Sequence, residues 1–160
     1  MSIRIEGLEQ AIKAVNEKVK EIHNKTRGGL YKAALVIKRE AVLLTPVVTS
    51  NLRGSSFVLS VDALEVSQNS FKGKSAAAVY SSTQEAINEA RQLVSASESE
   101  NRCVVAVGYG AFYAGYVHEN PNAGRSGRPG ASTVGQWKFL QQAIQANVDS
   151  IIMAIKEEIR

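Results

Sequence analysis

Few stretches of this sequence have the residue types and spacing that chemistry demands. Gly130-Ala-Ser-Thr-Val-Gly135 has the glycine spacing of a phosphate-binding loop and precedes a helical pattern. It is followed by Gln136 and Trp137, where such a loop needs a Lys for the phosphates and a Ser or Thr for magnesium, so nucleotide binding is not expected. Gly108-Tyr-Gly110 begins like a dinucleotide fingerprint, but Tyr113 holds the third glycine position, which leaves a strand-ending turn. His118-Glu119 has no second His at helical spacing, so the zinc-protease pattern is absent. Cys103 lies in an apolar run and reads as a small core hydrophobe with a raised thiol pKa. With one Cys, two His (His23 and His118) and no Gly-x-Ser-x-Gly elbow, neither a nucleophile-base set nor a thiolate zinc site assembles. The expectation is a chain that is not an enzyme and has no metal or cofactor.

The remaining candidate is electrostatic. Between Asn120 and Gly135 lie Pro121, Gly124, Gly127, Pro129 and Gly130 with Arg125 and Arg128, a long, mobile, basic loop whose two guanidinium forks suit phosphates or carboxylates. Two arginines are far fewer than the charge stripe of a dedicated nucleic-acid binder. The whole chain is only mildly basic, with 19 Lys and Arg against 15 Asp and Glu in 160 residues, a net charge of +4. Charge alone therefore selects no partner. With 44% hydrophobic and 21% charged residues the composition is globular, and the length suits one domain, residues 1–160. No signal-peptide-like run opens the chain and no stretch nears the ~18 apolar residues of a membrane span, so a protein made and kept in a cytoplasm, without membrane contact, is expected.

The elements that must position these residues follow from hydrophobic period. Ile5, Leu8, Ile12, Val15, Val19 and Ile22 step by threes and fours, an amphipathic helix. A second stripe, Leu30, Ala34, Ile37, Ala41 and Leu44, has the same spacing but does not continue the first heptad in phase. Gly28-Gly29 between them either separates two helices or kinks one. Thr45-Pro46 ends the helical stretch. Phe57, Leu59 and Val61 alternate as a strand, with Leu64–Ser67 as a hairpin partner. Ala76–Tyr80 is a weaker strand candidate, and Ser82 with Glu85 has capping-box spacing for a helix of three to four turns. Cys103–Val107 reads as the best buried strand. From Gln136, apolar steps of 3, 4, 4, 3, 4 and 4 predict one helix to Arg160, roughly 36 Å long. The fold class is α+β: a small, mainly antiparallel sheet packed against long N-terminal and C-terminal helices.

Three separated stretches resemble the small neck proteins of tailed bacteriophages, called minor capsid, head-tail joining or tail-completion proteins. Thr45-Pro-Val-Val-Thr-Ser-Asn-Leu-Arg-Gly-Ser55 is similar to that family's Thr-Pro-Val-x-Thr-Gly-x-Leu-Arg-x-Ser signature. Tyr113-Ala-Gly-Tyr-Val-His-Glu119 is similar to its Tyr-Ala-x-Tyr-Val-Glu segment, and Lys138-Phe-Leu-Gln-Gln-Ala143 to the Phe-Leu-x-x-Ala that opens its last helix. Ser50 replaces the usual Gly, His118 precedes the acidic Glu119, and residues 71–100 look like an insertion. The resemblance implies a structural virion protein, assembled in the host cytoplasm into a homo-oligomeric ring, usually hexameric. Its partners would be a head connector or stopper protein and a tail terminator or tail tube protein, with transient contact to the genomic DNA that passes through. A nucleic-acid-binding module of the cytoplasm, using Arg125, Arg128 and the lysines of the first helix, is the alternative.

The candidate interface residues are Arg53, Tyr113, Tyr116, His118, Glu119, Arg125 and Arg128. Leu52 is expected to anchor a helix-to-sheet corner and leave Arg53 available for a carboxylate, on its own or a neighbouring subunit, or merely solvated. For Tyr113, Tyr116 and His118, ordinary strand packing competes with an interface role, to which tyrosine is well suited.

Overall fold

In a computed structural model of the chain, the residues described are 8–47, 50–67, 70–123 and 135–160. Helix α1 runs unbroken from Leu8 to Leu44, 37 residues and about 55 Å long. The glycine pair neither splits nor ends it. At about 100° per residue, the stripe of Leu8 to Ile22 and that of Leu30 to Leu44 lie within about 40° of each other. Their one-residue slip out of heptad phase offsets the drift that a straight helix accumulates, about 20° per heptad. Gly28 and Gly29 serve a close helix crossing. A Cβ on Gly29 would stand 3.0 Å from the Cα of Ile155, and one on Gly28 would stand 3.2 Å from the Glu158 carboxylate.

The sheet has three antiparallel strands in the order β2-β1-β3, with β1 (Ser56–Leu59) central, β2 (Leu64–Val66) and β3 (Ala106–Tyr109). Phe57 faces Val66 and Gly108 in register, and Val58 faces Glu65 and Val107. Alternation along β1 therefore splits the core between two layers. Phe57 and Leu59 pack on α3 (Ala76–Ser99) through Ile87, Ala90 and Val94. The opposite face meets α1, where buried Lys38 reaches Glu65 of β2 at 2.8 Å. Leu52, Val79, Ala111, Ala114 and Phe139 form a second cluster at the end where α1 stops.

Four sequence expectations are corrected. Ala76–Tyr80 is the first turn of α3, not a strand; the run Ala76-Ala-Ala78 favours helix, and Val79, Thr83, Ile87, Ala90 and Val94 recur with helical period on its buried side. Ser82 consequently sits inside that helix, donating to the Val79 carbonyl at 3.1 Å, and α3 is 24 residues long. Strand β3 starts at Ala106, and Cys103–Val105 only lead into it. Because β3 pairs with β1 alone, this run is half-buried, and Cys103 is not a core residue. Lastly, the C-terminal helix is two: α5 (Phe139–Ala146) and α6 (Val148–Ile159), about 12 and 18 Å long. Asn147 leaves helical geometry between them and turns its side-chain amide back to the Ala143 carbonyl at 2.9 Å.

Candidate functional site

The Thr45–Ser55 motif folds into a corner whose chemistry is the satisfaction of a helix end. The last four carbonyls of an α-helix have no intrahelical partner. Here each of the carbonyls from Ala41 to Leu44 finds one. The Thr45 hydroxyl donates to the Ala41 carbonyl at 2.6 Å, the Thr45 amide to that of Val42 at 3.4 Å, Arg53 Nη2 to that of Leu43 at 3.2 Å, and the Gln136 amide to that of Leu44 at 2.8 Å. Arg53 also grips the Thr45 carbonyl. Its side chain sits on backbone oxygens, neither on a carboxylate nor merely in solvent. Ser50, at φ 65°, opens the single helical turn α2 (Asn51–Gly54), in which Leu52 is buried as expected. Asn51 closes the turn by bonding both the Lys72 amide and the Lys72 carbonyl.

Tyr109 crosses from β3 to the same corner. Its hydroxyl meets that of Thr45 at 2.8 Å, its ring stacks edge-on against Phe139 at 4.9 Å, and burial pushes its pKa up to about 12. Gly135 brings the chain back over Pro46, so closely that a Cβ on it would stand 2.4 Å from the Pro46 Cα.

The second motif is helical. Tyr113 precedes α4 (Ala114–Glu119), so strand packing does not describe Tyr113, Tyr116 or His118. Tyr113 is half-buried against the cluster around Leu52, and Phe112 stacks edge-on against its ring. Tyr116, 76% exposed, and Phe112, 63% exposed, stand four residues apart on the surface. His118 Nδ1 lies 2.7 Å from Glu119, its ring meets Phe139 edge-on at 4.8 Å, and its Nε2 is buried without a hydrogen-bond partner among the described residues. A shallow cleft of about 180 Å³ between Tyr109, Ala114, His118, Phe139 and Leu140 adjoins it. The structure thus gathers Arg53, Tyr113 and His118 around one end of the fold, while Tyr116 and Glu119 face outward. Arg125 and Arg128, and with them most of the 120–135 loop, lie outside the described residues.

One polar cluster has no signal in the sequence, because its members are up to 80 residues apart. His23 Nε2 stands 2.9 Å from Glu98, Arg27 bridges Glu98 and Asp62, and Cys103 Sγ lies 3.5 Å from both His23 ring nitrogens. Equal distances place the sulfur over the face of the ring and not on the lone pair of either nitrogen. Burial, reinforced by the Glu98 charge, pushes the thiol pKa up despite Arg27. A catalytic thiol needs the opposite shift. The cluster ties the middle of α1 to the end of α3 and to the β1–β2 turn. Among the described residues no group of three His, Cys, Asp or Glu side chains is placed to hold a metal ion, and no helix is long and apolar enough to cross a membrane.

The feature of most consequence is a surface. The first half of α1 is solvent-exposed on all sides through Ile22, and Leu8, Ile12, Val15, Val19 and Ile22 are each 51–61% exposed. The sequence shows this stripe but not that it stays uncovered, since periodicity reports an apolar face and not its partner. No family model, no curated protein and no solved structure matches this chain.

Proposed function

We propose that this chain is a structural assembly subunit that forms a homo-oligomeric ring in the neck of a tailed bacteriophage, between head connector and tail. The observation that carries the assembly part is the first part of α1, where five apolar side chains in helical register are each 51–61% exposed. A monomer gains nothing from such a face, and an exposed apolar stripe on a rigid element marks a protein contact. The neck assignment rests on the resemblance of the Thr45–Ser55, Tyr113–Glu119 and Lys138–Ala143 stretches. Phe112 and Tyr116 add an aromatic pair suited to docking a connector or tail protein.

Light scattering and electron microscopy of the purified chain are expected to show closed rings, and labelling on intact particles is expected to place it between head and tail. A monomer that binds nonspecific DNA, with an affinity falling steeply between two salt concentrations, would instead establish the nucleic-acid-binding module.

A further inference from the structure

The body of the fold contains an apolar groove of about 320 Å³ walled by Leu30, Ala33 and Ile37 of α1, by Val104 and Val105 ahead of β3, and by Ile151 of α6. Each of these six side chains is partly or wholly inside the fold, and Ala33 and Ala34 keep the floor low enough for another helix to approach. Among the described residues each chain therefore has an uncovered apolar ridge, residues 8–22, and an apolar groove of its own. The two cannot meet within a subunit, because both belong in part to the same straight helix. We propose that the first half of α1 of one copy lies in this groove of the next copy, a head-to-tail contact repeated around a ring.

Size favours this pairing over a symmetric one. Two ridges side by side would join only about two heptads, short of the three to four that sustain a coiled coil. A ridge set into a groove adds the groove's own surface, toward the roughly 800 Å² per partner of a stable contact. Ridge and groove are moreover successive parts of one apolar helix face. Within the subunit Ile151 and Ile155 of α6 flank the part of that face formed by Leu30, Ala33 and Ile37, and a neighbour's groove covers the part before it. A heterologous contact of this kind leaves no subunit with an unmatched ridge or groove once the ring closes. The inference rests on the assembly reading above and specifies its geometry.

Cys103, the single cysteine of the chain, lines the groove and supplies the test. Single cysteines are placed on the ridge (Leu8→Cys, Ile12→Cys, Val15→Cys, Val19→Cys) and on the far side of the same helix (Lys13→Cys, Glu17→Cys). Each variant is treated with a short bis-maleimide, under mildly alkaline conditions so that the Cys103 thiol reacts. At least one ridge variant is expected to give a ladder of linked dimers, trimers and larger species on a denaturing gel. The far-side variants give none, and Cys103→Ser abolishes the ladder.

Oligomers by light scattering without any ridge-to-Cys103 link would overturn this geometry and leave assembly standing. A linked dimer that persists with Cys103→Ser would show symmetric ridge pairing, which also overturns it. A chain that stays monomeric at every concentration removes both the contact and the assembly reading. Val15→Asp with Val19→Asp, at positions exposed in the subunit, is expected to reduce the particle to monomers with little change in melting. Retention of the full ring mass by that variant contradicts the proposal.

Discussion

The guanidinium of Arg53 holds the carbonyl of Thr45 through two donors, Nε at 3.1 Å and Nη2 at 2.9 Å, and so fastens the end of α1 to the turn that starts the sheet. Thr45 is fully buried, so its carbonyl has no water to turn to if the clasp is removed. Arg53→Ala is expected to lower stability by about 1.5–3 kcal/mol, the range for hydrogen bonds to a charged group, and Arg53→Lys to restore only part of it. Urea unfolding of the three proteins checks this. Equal midpoints for Arg53→Ala and the parent would mean that the clasp contributes nothing.

Leu52, one residue earlier, acts through packing. Leu52→Ala opens a void beside Val79 and Phe139, and a loss of about 2–5 kcal/mol is expected. Thermal melting with a calorimetric enthalpy measures it, and a loss under about 1 kcal/mol would contradict core placement.

Two glycines in helices predict opposite signs. Gly29→Ala gains up to about 1 kcal/mol of helix propensity, but its Cβ would press on the Ile155 backbone at 3.0 Å, and overpacking costs about 1–3 kcal/mol. Net destabilisation is expected, with Gly29→Val worse. A Cβ on Gly115 of α4 meets nothing within 4 Å, so Gly115→Ala should stabilise by about 0.5–1 kcal/mol. Parallel melting curves decide, and a stabilised Gly29→Ala would mean that α6 is free to move away.

Tyr109 gives a pH signature at the alkaline end. Its pKa is pushed up to about 12 in the fold, chiefly by burial, against about 10 when unfolded. The unfolded chain therefore loses the proton first. Stability from this group is complete below pH ~10 and is lost progressively as pH rises toward ~12, by an amount on the order of 2 kcal/mol. Tyr109→Phe should flatten the stability curve across that window. An unchanged slope would assign the effect to other groups.

Much of this architecture is legible in the residues. The α+β class, the β1–β2 hairpin and the burial of Leu52 follow from period and turn chemistry, and the corner follows from Thr45-Pro46. What misleads is local ambiguity settled by distant packing. A Gly-Gly pair reads as a break until Ile155 is seen to need the space, and Cys103-Val-Val reads as core until β3 proves to be an edge. The role of Arg53 was hidden for a related reason: an arginine after a turn gives no sign of whether its partner is a carboxylate or a set of backbone carbonyls eight to ten residues behind it. Among the site residues, His118 is legible as polar but not as the neighbour of Phe139, 21 positions on.

The crossing of α6 over the glycines of α1 also orders events in time. Lys32 and Glu158, ion-paired across that crossing, are 126 residues apart, so the loop they close is among the longest the chain can make. Closing it carries an entropy cost that grows with the logarithm of loop length, and pairing of the sheet with α3 shortens the effective path. During synthesis α1 emerges first and α6 more than a hundred residues later. Until then the seat around Gly28 and Gly29 stands empty, and the groove, one wall of which is α6, does not exist. In the proposed head-to-tail contact, a nascent subunit would have its ridge before its receptor, so half-made chains could not polymerise with one another through it.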